Sequence, residues 1–269
     1  MNHLLRTHAP ISDTGWEVID KEAKQRLAPA LAARRLVDFS GPHGWEHSAT
    51  NLGRVTTVDA TPGEGVGVLQ RTVLPLVELA HGFSLQRSEL RDADRGAEDV
   101  ELRNLDEATS RIARAENNVV FHGYPAAGIG GIAESSTHPP ITLSDDFDAY
   151  PAHAAKAVEM LLDAGIGGPY GIALGPRCYT GVIETTEHGG YLVFDHLSKI
   201  LDGPIVRAPG VDGAVVLSLR GGDYLFDSGQ DLSIGYDRHD DDVVLLYVEE
   251  SFSFRVATDE AGIALVNAA

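Results

Sequence analysis

Residues 51–73, NLGRVTTVDATPGEGVGVLQRTV, set the hardest constraint on what this chain can fold into. Two β-prone runs flank TPGEG at 61–65, so the stretch reads as a long hairpin. It holds too few large apolar residues to own a core, and a two-stranded ribbon is marginal in water by itself. It must lie on something, and an adjacent copy of the same chain is a plausible surface.

The rest of the chain reads as helices and strands in separate blocks. Ser12 or Asp13 can cap a helix beginning near Trp16. Trp16, Ile19, Ala23, Leu27, Ala30 and Arg34 then recur at helical steps, with Pro29 expected to kink or restart the helix. Residues 74–90 read as a strand. Residues 105–120 form a strong helix, with Leu105, Ala108, Ile112, Ala115 and Val119 on one face. Another helix is expected over 145–165, entered at Pro151 and stopped at Gly165. A short strand at 168–176 precedes two helix candidates, 177–184 and 191–201, joined by the loop TTEHGGY (185–191). Strands return at 204–209 and 213–223 and fill the C-terminal third. Helices and strands do not alternate as βαβ units, so the class is α+β.

The chemistry expected of an enzyme is missing from the sequence. There is no H-E-x-x-H, G-x-S-x-G, P-loop or C-x-x-C pattern. GIGG at 128–131 is too short for a dinucleotide fingerprint and follows a helix. The 11 histidines read as scattered, with none paired to another His or a Cys at ligand spacing, so no metal site is expected. Asp240, Asp241 and Asp242 read as a solvated acidic loop. Cys178, the one cysteine, permits no intramolecular disulfide and reads as a small buried apolar residue. Lys and Arg total 21 against 40 Asp and Glu, a formal charge of −19, which disfavours nucleic acid and anionic membranes as partners. No run approaches a membrane span, and MNHLLRTHAPISD does not read as a secretory signal.

One stretch looks adhesive. In GQDLSIGY (229–236), Leu232, Ile234 and Tyr236 alternate with Ser233 and Gly235, which puts three apolar side chains on one face of a strand. Whether that face fills the protein's own core or meets another molecule is open at this level.

With these residues in view, the sequence resembles the encapsulin shell proteins, once called linocin-like bacteriocins. The matching stretches are LLRTHAPIS near the start, LVDFSGPHGWEH (36–47), LPLVELAHGFSL (74–85), GGIAE (130–134), GPYGIAL (168–174), RGGDYLFDSGQDLSIGY (220–236) and ESFSFRV (250–256). The resemblance runs essentially end to end. It implies the tailed-phage major capsid protein fold. The N-terminal helix and start of the P-domain would span 1–50, the E-loop 51–73, the P-domain with its spine helix 74–136, the A-domain 137–222, and the C-terminal P-domain strands 223–269. It also implies a homo-oligomeric icosahedral shell of about sixty copies. The shell would enclose a dye-decolorising peroxidase or ferritin-like cargo enzyme recruited by a C-terminal targeting peptide.

By the same resemblance, the cargo peptide would dock between Leu27, Leu31, Arg34 and Asp38 on the helix side and Asp231, Leu232, Ile234 and Tyr236 on the strand side. Glu187, His188, Gly189 and Gly190 would line a pore, in a loop made flexible by its glycines. Some relatives bind a flavin through an aromatic residue in the segment matching SLQRSEL. Here Ser88 stands at that position beside Arg87, so no cofactor is expected. The assembly is expected in the cytoplasm, with release from the cell as a further option. The competing readings are a secreted bacteriocin, a peptidase-like protein and a phage head protein. The missing nucleophile, zinc motif and signal peptide speak against the first two. The lack of an obvious N-terminal scaffolding segment and the intact GQDLSIGY speak against the third.

Overall fold

The computed structural model describes residues 3–187 and 189–268. The first helix, α1 (Asp13–Ala30), starts where Ser12 accepts a hydrogen bond from the Gly15 amide at 3.0 Å. Its stripe of Trp16, Ile19, Ala23 and Leu27 is buried. The helix ends one residue after Pro29 and resumes as a short 3-10 turn, Ala33–Arg35. That break leaves backbone groups to be satisfied. Asn117 does this from within the core. Its Oδ1 accepts from the Ala33 amide at 3.0 Å, and its Nδ2 donates to the Ala30 and Pro209 carbonyls at 2.8 and 2.9 Å.

A short strand, β1 (Asp38–Ser40), precedes the hairpin strands β2 (Ala49–Thr57) and β3 (Leu69–Pro75). These two pair only with each other among the described residues. The strand expected over 74–90 is β4 (Val77–Gln86), and it stops short. Residues 87–90 belong instead to a helix, α2 (Arg87–Asp94). The burial period changes there: Phe83 and Leu85 are two apart, Leu90 and Ala93 three apart. Leu90 packs toward Gly15 of α1, and the Ser12 hydroxyl donates to the Asp94 carboxylate.

The long helix α3 (Arg103–His122) buries Leu105, Ala108, Ile112, Val119 and Val120. There follow α4 (Ile132–Ser135), β5 (Ile141–Leu143) and α5 (Tyr150–Asp163) with Pro151 in its first turn, then β6 (Tyr170–Leu174), α6 (Pro176–Glu184) and α7 (Val193–Leu201). The last strands are β7 (Ile205–Arg207), β8 (Ala214–Ser218), β9 (Tyr224–Ser228), β10 (Ser233–His239), β11 (Val243–Val256) and β12 (Gly262–Asn267).

Two five-stranded sheets organise the described residues. One runs β5-β12-β8-β6-β7 and carries α5, α6 and α7. The other is built on β11, whose first part lies between β10 and β4 and whose last residues, from Phe252, pair with β9. Helices α1, α2 and α3 bury their apolar stripes against β4, β10 and β11, in a cluster that includes Trp16, Ile19, Leu105, Ile112, Ile234 and Leu246. Mostly antiparallel pairing with helices gathered on the sheet faces makes this an α+β fold, but the expected absence of βαβ units is corrected: β6, α6, α7 and β7 form one, with β6 and β7 parallel.

Gly235 shows how tightly the β10–β11 pair is fitted. It lies opposite Tyr247, and a Cβ there would be driven into the Tyr247 ring. We expect Gly235→Val to lower subunit stability by about 1–3 kcal/mol through overpacking, read as a lower denaturant midpoint. An unchanged midpoint would mean that the ring moves aside freely.

Candidate functional site

A cleft of about 470 Å³ runs between α1 and the segment entering β10. Its apolar wall includes Leu4, Leu27, Leu31, Leu232 and Ile234, and Arg34 and Asp231 also line it. Of the eight residues grouped by resemblance, Leu27, Leu31, Arg34, Asp231, Leu232 and Ile234 meet here. Leu31 and Leu232 are half-buried, while Ile234 is only 5% exposed and belongs to the core cluster as well. The two fates left open for Ile234 are therefore combined: it packs inward and its edge forms the cleft floor.

Two residues lie outside the cleft lining. Asp38 is exposed on β1, where its carboxylate accepts from the Gly222 amide at 2.5 Å and pins a glycine turn. The 3-10 turn after α1 separates it from the helical face that the stripe defines. Tyr236 is held by the N-terminal segment: its amide donates to the Leu4 carbonyl at 2.9 Å, and its hydroxyl pairs with His239 Nδ1 at 2.6 Å. The alternation that suggested a continuous apolar face also ends there, because the β10 register shifts between Tyr236 and Arg238.

Arg34 is the chemical anchor of the cleft. Its Nε donates to Glu116 at 2.7 Å, Nη1 to Asp231 at 2.6 Å and Nη2 to Glu250 at 2.8 Å. Burial alone would disfavour the guanidinium charge, but Glu116, Glu250 and Asp231 together hold its pKa above the ordinary value. The Glu116 and Glu250 side chains are 0% and 1% exposed, whereas Asp231 is 44% exposed. Burial, reinforced by the neighbouring Glu116 charge, pushes Glu250 well above the usual carboxylate range. One buried guanidinium beside two buried carboxyls favours the protonated form of Glu250. Sequence reading missed Glu116 and Glu250; each sits on a face otherwise apolar, Glu116 at the helical step after Ile112 and Glu250 beside Phe252 and Phe254.

A second unpartnered surface lies on the hairpin. Val55 stands opposite Arg71, so Val55, Leu69 and Val73 share one face, and they are 55%, 63% and 47% exposed. The described residues of the loop between α6 and α7 make several contacts of their own. Glu187 donates its amide to the Tyr191 carbonyl and accepts from the Gly190 amide, and its carboxylate meets His196 Nδ1 at 2.7 Å. Gly189 and Gly190 are exposed, and His188 lies outside the described residues. Asp240 closes the β10–β11 turn by accepting from the Asp242 and Val243 amides, which hold its carboxyl below the usual range. Ser88 is exposed on α2.

The reading that no histidines stand at ligand spacing is corrected by the fold. His43 and His47, four apart, converge on the two oxygens of Asp227 at 2.7 and 3.3 Å. The third member is distant in sequence and enters through β9.

The structure combines a long packed helix, a β-sheet centred on one long strand and a hairpin with no core of its own, the layout expected of a capsid-type shell subunit. Comparison with known proteins agrees. The chain is similar in structure to a virus-like particle from Pyrococcus furiosus, with TM-score 0.63 and 17% identity over 94% of this chain and 98% of that one. It is similar also to the capsid of a native GTA particle, with TM-score 0.54 and 15% identity over 89% and 90% of the two chains. These likenesses establish the tailed-phage capsid fold. In sequence it is 43% identical to the type 1 encapsulin shell protein of Rhodospirillum rubrum, over 98% of this chain and 96% of that one. It is 40% identical to the type 1 encapsulin shell protein of Mycobacterium tuberculosis, over 98% and 99%. The family described as encapsulating protein for peroxidase matches residues 1–253, and the chain belongs to that family.

The charge cluster makes a signed prediction. Glu250 binds its proton more tightly in the folded chain, so its contribution to stability is complete below the ordinary glutamate pKa and falls as pH rises above it. Glu250→Gln should match the parent near pH 5 and equal or exceed it near pH 8. Arg34→Met strands the buried Glu116 charge and should cost about 3–5 kcal/mol near neutral pH. Denaturant unfolding across pH separates these outcomes; a Gln variant as unstable at pH 8 as Arg34→Met would mean that Glu250 is ionised.

Proposed function

We propose that this chain is the shell subunit of an encapsulin nanocompartment, and that its cleft seats the targeting peptide of an enclosed enzyme. The observation that carries the docking site is the cleft itself. It has an apolar wall of Leu27, Leu31, Leu232 and Ile234, and a charged end where Asp231 stays half in solvent. An extended peptide with apolar side chains gains affinity from such a wall, and Arg34 with Asp231 fixes its direction. Asp38 and Tyr236 lie outside the lining of this cleft. The enclosed enzyme would be a dye-decolorising peroxidase or a ferritin-like protein.

In this reading the exposed hairpin face of Val55, Leu69 and Val73 is covered by a neighbouring copy. An apolar face without a partner in its own chain is expected where an oligomer completes the core. About sixty copies would close an icosahedral shell. The loop carrying Glu187, Gly189 and Gly190, with His188, would surround an opening, and the His196 contact would hold Glu187 in place there. The subunit performs no chemistry of its own and takes no flavin. The shell is assembled in the cytoplasm, and release of whole shells is compatible with it. No helix among the described residues is long and apolar enough to cross a membrane.

Two variants test the two surfaces separately. Leu232→Asp places a charge on the half-buried cleft wall. We expect shells to assemble while cargo loading falls about ten-fold or more, since losing the burial of one leucine is worth about 1.5–3 kcal/mol. Normal loading would sink the cleft assignment. Leu69→Asp should leave the subunit folded but stop closed particles forming, read by sedimentation and negative-stain imaging. Unimpaired shells would show that the hairpin face is not an assembly surface.

A further inference from the structure

We propose that His43, His47 and Asp227 form a binding site for a divalent first-row metal ion, with zinc the best match to their ligand set. Nothing in the shell reading requires or uses it. Two imidazoles and a carboxylate are a donor set suited to borderline-soft cations and poorly suited to calcium or magnesium, which take oxygen ligands.

The geometry is close to what a metal needs. His43 Nε2 lies 2.7 Å from Asp227 Oδ1, His47 Nε2 lies 3.3 Å from Oδ2, and the candidate ligand atoms are all within 4.8 Å of one another. Zinc bonds of about 2.0–2.1 Å in a tetrahedron put neighbouring ligand atoms about 3.3 Å apart. With Asp227 Oδ1 as the carboxylate ligand, the His43 edge reaches that length by opening about 0.6 Å, and Oδ2, beside His47, is left to the Thr50 hydroxyl. The two rings are neighbours, with centroids 4.7 Å apart. The His43 side chain is 40% exposed, which leaves the fourth position to water.

The ligands are carried on a fixed frame. Asp227 lies in β9 between β1 and β11. The His43 and Gly44 amides donate to the Ser228 and Gly229 carbonyls at 2.9 and 2.8 Å, and the His47 amide returns to Gly44 at 3.1 Å. Gly41, at φ 108°, sits so close to the Ser228 carbonyl that a side chain there would collide with it. The Thr50 hydroxyl donates to Asp227 Oδ2, the outer contact that orients a ligating carboxylate. Burial would raise the Asp227 pKa, but Thr50 and the two imidazoles hold it below the ordinary value, so the carboxylate is charged. Since Thr50 belongs to β2, a metal here would also stiffen the root of the hairpin.

The test is calorimetric titration of the full-length assembled protein, stripped with chelator, with zinc chloride. We expect one zinc per chain and a higher thermal midpoint with zinc present. His43→Ala and His47→Ala should each weaken binding at least ten-fold and abolish the zinc-dependent rise in midpoint. Thr50→Val keeps all three ligands and should weaken binding by about ten-fold. His8→Ala, at an exposed histidine elsewhere, should change nothing. No stoichiometric binding to the parent protein, or binding that survives both histidine substitutions, would overturn the proposal.

Discussion

The rest of the structure depends on Arg34. Its guanidinium joins the turn after α1 to Glu116 of α3, Glu250 of β11 and Asp231 ahead of β10, in a site where the first two carboxyls are sealed from water. It also lies over the rings of Phe39 and Phe226, at 5.2 and 5.5 Å. A charge is carried into the core only when its partners are already in place. Arg34 therefore enforces the angle between the N-terminal helix and the sheet, and that angle is the width of the cleft. The interruption of α1 after Pro29 puts Arg34 in a turn rather than on the helical stripe, and Asn117 makes that interruption affordable by capping its loose backbone groups.

The hairpin supplies the complementary constraint. It is a ribbon whose apolar face finds nothing among the described residues to cover it. In the proposed function, a subunit with one self-sufficient body and one arm of this kind would be completed by its neighbours. The cleft and the arm would then divide the labour: the cleft would accept a guest, and the arm would secure the next copy. The proposed metal site lies between them, where the loop at 41–47 and the base of β2 meet β9.

Much of this was legible in the sequence where periodicity was strong. The α1 stripe, the α3 face and the hairpin follow from apolar spacing alone, whereas the parallel pairing of β6 with β7 across α6 and α7 does not. The failures have local causes. Residues 87–90 follow an alternating run and so read as more strand, yet Leu90 and Ala93 already step at helical spacing onto α1. Tyr236 alternates correctly with Ile234, but the N-terminal segment takes its amide, which no local pattern announces. Asp38 is close to Arg34 in sequence, and the intervening turn sends it to a different surface. Glu116, Glu250 and Asp227 act through residues far along the chain, so their roles are properties of the fold. His43 and His47 were visible at four-residue spacing, but without Asp227 the pair carried no meaning.

The central claim is that a closed shell of this chain seats another protein's tail in the cleft governed by Arg34. Cryo-electron microscopy of particles purified from the native cell tests it most directly. The account predicts closed icosahedral particles with extended peptide density lying between Leu31 and Leu232 on the inner wall. Closed particles whose contents touch the wall elsewhere, or a chain that stays monomeric at native concentration, would contradict it.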